Sequence, residues 1–228
     1  YWKTLQKPHD NLDLVPLEEA IQLNDFRTRR KLLLDTLFKD PTKHLDVLMV
    51  ARHNEDSETA HYAATTINKI QRDYQLKLQK YSNTLIEQPD DEKTIEKYID
   101  IVEKYLQSGL LEKHLLERQR IIYANLLEKS FSSSPRKQTL IKILRNSLAL
   151  KDFDAALAAG LKLRQNWPED EDAWIESLRA SVEAQDNILF QQVMSQIREV
   201  DIDWTPPGLK QIRFWKNHVT DPSLQGEA

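Results

Sequence analysis

Three arginines repeat at a fixed interval: Arg145, Arg179 and Arg213 stand 34 residues apart. A guanidinium presents five N–H donors in a planar fork, and that fork fits a carboxylate with two parallel bonds. If the three side chains share one face of successive helices, they form a ladder able to grip the carboxylates of a bound acidic segment. Ile141 and Ile175 lie one helical turn earlier, as does Leu209, and would give such a groove an apolar floor. The competing use of the same cations is pairing inside the chain, with Asp172, Glu176 or Glu183 as available acids.

Other chemistry is thin. Glu58-x-x-His61 puts a carboxylate and an imidazole on one helical face, the spacing used by di-iron bundles. Such a site needs a second copy facing the first, and no second Glu-x-x-His occurs. His61 therefore reads as structural, and no metal or cofactor is expected. Ser132, Ser133 and Ser134 precede Pro135 as loop and cap residues, without an activating base, so no catalytic residue is expected either. Glu169, Asp170, Glu171 and Asp172 form an acidic run at a helix start, where the helix dipole favours negative charge. Arg27, Arg29, Arg30 and Lys31 make a basic patch, an alternative docking surface with too few aromatics for nucleic acid.

Composition narrows the classes further. Lys and Arg total 32 against 36 Asp and Glu, so a net charge of -4 gives no overall attraction to nucleic acid. Four glycines in 228 residues nearly exclude phosphate-cradling loops and Asn-Gly hairpins. Zero cysteines remove disulfides, thiolate zinc sites and thiol nucleophiles, which fits a reducing compartment. Hydrophobic residues at 40% suffice for a core, while 30% charge and a mean hydropathy of -0.62 suit an elongated shape with much surface. No apolar run approaches the ~20 residues of a membrane helix. The chain begins at Tyr1, not Met, and reads as a fragment.

Stepping of apolar residues by three and four predicts helices over 25–38, 42–52, 55–87, 91–108, 112–130, 135–149, 152–166, 170–185, 187–199 and 206–217. Asp40-Pro41, Ser134-Pro135 and Thr205-Pro206 each place a capping residue before a proline suited to a first helical turn. Gly109 suits a helix C-terminus. In 55–87, Ala60, Ala63, Ile67, Ile70, Tyr74, Leu78, Tyr81 and Leu85 make one continuous seam.

The second half repeats at 34 residues: Leu140, Trp174 and Gly208 are equivalent, as are Ile141, Ile175 and Leu209. That is the tetratricopeptide period, one helical hairpin per repeat. Asp152 to Ala156 reads as the turn into a second helix, with Ala156 at the crossing, and Pro168 ends the repeat. Ser147 and Ser181 stand where that motif has tyrosine, and Lys151 where it has glycine. A degenerate repeat spans about 95–135, and 206–217 reads as a terminal capping helix. The expectation is an all-α, right-handed solenoid: a HEAT-like part with one long helix over 1–90, then tetratricopeptide repeats and a cap over 91–228.

Ala51-Arg52-His53-Asn54-Glu55-Asp56-Ser57-Glu58-Thr59-Ala60-His61-Tyr62-Ala63-Ala64 resembles the PelE-type proteins of the bacterial Pel exopolysaccharide machinery. Val15-Pro16-Leu17-Glu18-Glu19-Ala20, Arg27-Thr28-Arg29-Arg30 and Tyr105-Leu106-Gln107-Ser108-Gly109-Leu110 extend the resemblance over about 14–125. It implies membrane-spanning segments ahead of a helical-repeat domain on the cytoplasmic side of the inner membrane. It further implies a non-catalytic scaffold whose partners are protein subunits of a polysaccharide synthase and transport complex. Nucleic acid is not among the expected partners, and the membrane is met only through segments absent from this chain. An opening Tyr1-Trp2-Lys3 fits a position just after such a segment. The alternatives are a cytosolic repeat regulator that binds a signalling peptide and a metal-dependent helical enzyme centred on Glu58 and His61.

Overall fold

The computed structural model describes residues 41–219, and among them all regular structure is helical, with no strand. The helix predicted over 25–38 and the patch of Arg27, Arg29, Arg30 and Lys31 lie outside the described residues. A short 3-10 turn, Pro41–His44, leads into α1, Leu45–Ala51. Then come α2 (Ser57–Glu87), α3 (Glu92–Gln107), α4 (Lys113–Ser133), α5 (Lys137–Ala149), α6 (Phe153–Asn166), α7 (Glu171–Glu183), α8 (Asn187–Ile197) and α9 (Pro206–Val219).

The chain forms two compact units. The described part of the first holds α1, α2 as far as Lys80, and Gln107–Leu110. Asp56 starts α2: its carboxylate accepts from the Thr59 amide at 3.2 Å and from the Thr59 hydroxyl at 2.5 Å. Along α2 the predicted seam is buried at Ala63, Ile67, Ile70, Tyr74 and Leu78. Gly109 takes a φ of +70°, the left-handed geometry that a glycine provides without strain, and Gln71 Nε2 donates to the Leu110 carbonyl at 3.0 Å.

The described part of the second unit holds Tyr81–Leu106 and Leu111–Val219. Here α4 packs on α5, α5 on α6, α6 on α7 and α7 on α8, while α7 also packs along α5 and α9. Leu140, Leu144 and Leu148 of α5 meet Ala156, Ala159 and Leu163 of α6 in one core cluster. Trp174 and Leu178 of α7 meet Phe190, Val193, Met194 and Ile197 of α8 in the next. Small residues permit the closest crossing. A Cβ on Gly160 of α6 would stand 3.3 Å from the Cα of Ser177 on α7, and Ser177 Oγ reaches the Gly160 carbonyl at 2.7 Å.

The turns that close the second and third hairpins share one geometry, 34 residues apart. Lys151 and Gln185 sit at φ 60° and 56°. Asp152 N donates to Ser147 O and Asp186 N to Ser181 O, both at 2.9 Å, the long bond of a Schellman turn. The same aspartates then cap the following helices, accepting from Ala155 N at 3.1 Å and Leu189 N at 2.9 Å. The structure departs from the sequence reading at Ser134-Pro135. The Ser134 amide still bonds the Ser130 carbonyl at 2.9 Å, so α4 runs on to Ser133 and α5 starts later, at Lys137.

Lys151 and Gln185 occupy a backbone region costing a side-chain-bearing residue about 1 kcal/mol. Lys151→Gly and Gln185→Gly should each stabilise the protein by ~0.5–1 kcal/mol, raising Tm by about 2–4 °C per kcal/mol. Gly160→Leu should cost ~1–3 kcal/mol by driving α6 off α7. Thermal melts followed by circular dichroism check both; a neutral Gly160→Leu would contradict the close crossing.

Candidate interaction face of the helical array

The first helices of the hairpins, α3, α5 and α7, and the final α9 are tied to one another by side chains that reach across to the next helix. Arg136 Nη1 meets Glu96 Oε1 of α3 at 2.9 Å, 40 residues away, and Lys142 Nζ meets Glu103 Oε2 at 2.6 Å, 39 away. From α5 to α7, Lys137 Nζ bonds Asp170 Oδ2 at 2.6 Å and Asp172 Oδ2 at 3.0 Å. Arg145 grips Glu176 with two bonds, Nη2 to Oε1 at 2.6 Å and Nε to Oε2 at 3.2 Å. From α9 to α7, the Thr205 amide and hydroxyl donate to the two oxygens of Glu171 at 2.8 and 2.7 Å.

Glu176 is the most buried member, 3% exposed, while Arg145 is 56% exposed. Arg179, one turn along α7, lies 3.7 Å from the same carboxylate. The Glu176 carboxylate holds the Arg145 guanidinium above its ordinary range, through the hydrogen bonds first and the charge second. A second polar node sits between α3, α4 and α5. Burial, and after it the Glu103 carboxylate, push the Tyr123 phenol up. Asn146 of α5 is buried and brackets Arg120 of α4, donating to its carbonyl at 3.0 Å and accepting from its Nη1 at 3.2 Å.

The arginine ladder therefore divides. Arg145 and Arg179 converge on Glu176, one of the internal acids the sequence offers. Arg213 is exposed on α9 and makes no ion pair or hydrogen bond among the described residues. Ile141 and Ile175 do not form an open floor. They are 4% and 7% exposed, and a Cβ on Gly208 of α9 would touch Ile175 at 3.2 Å. The interlocked first helices leave no apolar floor at these positions.

Glu58 and His61 are both exposed on α2. Among the described residues no group of three or more His, Asp or Glu stands ready to hold a metal, and no helix is long and apolar enough to cross a membrane.

The acidic run gains a setting that sequence alone did not give. An open cleft of about 440 Å³ lies at the start of α5, α7 and α9. Glu169, Asp170, Glu171, Asp172, Asp201 and Asp203 line it, opposed by Lys137. Lys137 binds Asp170 and Asp172, and Thr205 binds Glu171, so half of these carboxylates serve as struts between helices. The chain matches no protein-family model, no curated protein and no solved structure.

Removing Arg145 leaves the buried Glu176 carboxylate with only the longer contact to Arg179, whereas removing the carboxylate frees a guanidinium that water can reach. Arg145→Ala should therefore cost ~2–4 kcal/mol, and adding Glu176→Gln to that variant should recover more than half of the loss. Chemical denaturation of the single and double variants measures this. A double variant as unstable as the sum of the singles would show that Glu176 is not held by Arg145.

Proposed function

We propose that this chain is a non-catalytic protein-docking scaffold built from tetratricopeptide-type repeats, stacked as a right-handed solenoid behind a HEAT-like amino-terminal part. We place it on the cytoplasmic side of the bacterial inner membrane, in a Pel-type exopolysaccharide synthesis and export complex. The observation that supports the scaffold reading is the pair of turns at Ser147–Asp152 and Ser181–Asp186, which share the same long hydrogen bond and a positive φ at Lys151 and Gln185, with the equivalent apolar positions packed around them. Repeats of this kind contact mainly their chain neighbours and are used in nature to present extended binding surfaces. The place in a polysaccharide complex rests on the resemblance of residues 14–125.

The test is co-expression of the tagged chain with the membrane subunits of a Pel-type complex, followed by detergent extraction and size-exclusion chromatography. Co-elution in fixed stoichiometry is expected. Separate elution of a folded chain would contradict the assignment to that complex.

A further inference from the structure

We infer that the guanidinium of Arg164, held between Trp174 and Gln196 where the ends of α6 and α8 meet the start of α7, is a receptor for a carboxylate side chain of a partner protein. The inference rests on reading the chain as a protein-docking repeat array, and it names one anchor point on that array and the chemistry that fills it.

Cations that reach between helices elsewhere in this unit end on carboxylates: Lys137 on Asp170 and Asp172, Lys142 on Glu103, and Arg145 on Glu176. Arg164 reaches from α6 to α8 and ends on a neutral amide, its Nη1 donating to Gln196 Oε1 at 2.5 Å. Its guanidinium carbon lies 5.7 Å from the centre of the Trp174 ring, which is itself 5% exposed and fixed by a bond from its Nε1 to the Pro168 carbonyl at 2.8 Å. The Arg164 Nε is buried and has no hydrogen-bond partner. Its Nη2 is neither buried nor hydrogen-bonded, so the end of the fork reaches the surface. No acid of the described residues pairs with it. Burial pushes this guanidinium below its ordinary range, and no carboxylate opposes the shift.

A half-buried cation without a counter-charge is costly in the free chain, and the face of Trp174 offsets only part of that cost. The cost is recovered when an anion arrives, so the site binds by relieving a charge that folding leaves uncompensated. The fork presents two nitrogens in one plane and carries a single positive charge, which matches a carboxylate in shape and in charge. Leu161, one turn earlier on α6 and 47% exposed, offers an apolar contact beside it. The fitting partner segment therefore sets an acidic side chain next to an apolar one.

The probe is the dipeptide acetyl-Leu-Glu-amide, with acetyl-Leu-Gln-amide as its neutral control. Each is titrated into the intact chain while the Arg164 Nε–H and Trp174 Nε1–H signals are followed by nitrogen-15 NMR. The acidic dipeptide should shift both signals saturably, and the neutral one should bind about tenfold more weakly or less. Arg164→Gln protein should bind the acidic dipeptide about tenfold more weakly or less, judged from the Trp174 signal. Arg164→Met keeps the reach of the side chain and removes the uncompensated charge, so it should melt as high as the wild type or higher.

Equal shifts by the two dipeptides, or binding that survives Arg164→Gln, overturn the inference. A melting temperature lower by more than about 3 °C in Arg164→Met also overturns it, and makes Arg164 a packing residue held by Trp174. Inorganic phosphate that shifts the same signals at lower concentration than the acidic dipeptide overturns it in favour of a phosphate site. If the dipeptide fails while the chain still co-elutes with its complex, the anchor is wrong and the scaffold reading stands. If the dipeptide binds while the chain elutes alone, the anchor stands and the assignment to that complex falls.

Discussion

A carboxylate that is 97% withdrawn from water must be met by a cation or leave, and Glu176 is such a carboxylate. It sits in α7 with Arg145 reaching it from α5 and Arg179 from its own helix. The arrangement fixes register more than it adds stability. Pairing a buried carboxylate with a half-exposed guanidinium gains little net, but any slip of α5 along α7 would take Arg145 away and leave Glu176 only the longer contact to Arg179, at a cost of ~1–3 kcal/mol. The more exposed struts, such as Arg136 to Glu96, contribute only ~0–1 kcal/mol each and act with the Arg145–Glu176 pair, not in its place.

That constraint explains why a ladder of arginines is only partly available. Equivalent positions in a repeat meet equivalent surroundings only in the interior of the array. Arg145 has α7 beside it and spends its guanidinium there. Arg213, on α9, has no such neighbour among the described residues. The same reasoning applies to the apolar row, in which Ile141 and Ile175 are buried and Leu209 is not. On the inner side of α9, Ile212 and Trp215 pack on the α7–α8 core. Its outer side is not the polar surface of a cap, since Leu209 and Phe214 are 45% and 54% exposed beside Lys210 and Arg213.

Much of the helical fold was legible because local rules agree with one another. Asp152 in the turn and Thr205 before Pro206 each do in the structure what their types predict, Ala156 is fully buried in the α5–α6 core, and most helix ends fall within two residues of their expected places. Three kinds of feature were hidden. The long α4 shifts the first hairpin out of the 34-residue period, so the partners of Arg136 and Lys142 lie 40 and 39 residues back and no fixed offset finds them. The burial of Glu176 runs against the rule that glutamates face water, and only the tertiary partner makes it possible. The left-handed backbone at Lys151 was marked only by the repeat, which has glycine there, and at Gln185 no glycine announces it. The amino-terminal basic patch lies outside the described residues.

Native-state hydrogen exchange tests most directly whether the Arg145–Glu176 pair couples neighbouring hairpins. Amides of α5 and α7 would be followed in the intact chain through rising denaturant below the unfolding transition. If Arg145 and Glu176 bind the two helices into one unit, their slowest amides should share a single opening free energy and a single denaturant dependence. Opening of α7, α8 and α9 at distinctly lower energy, with α5 still protected, would contradict that coupling.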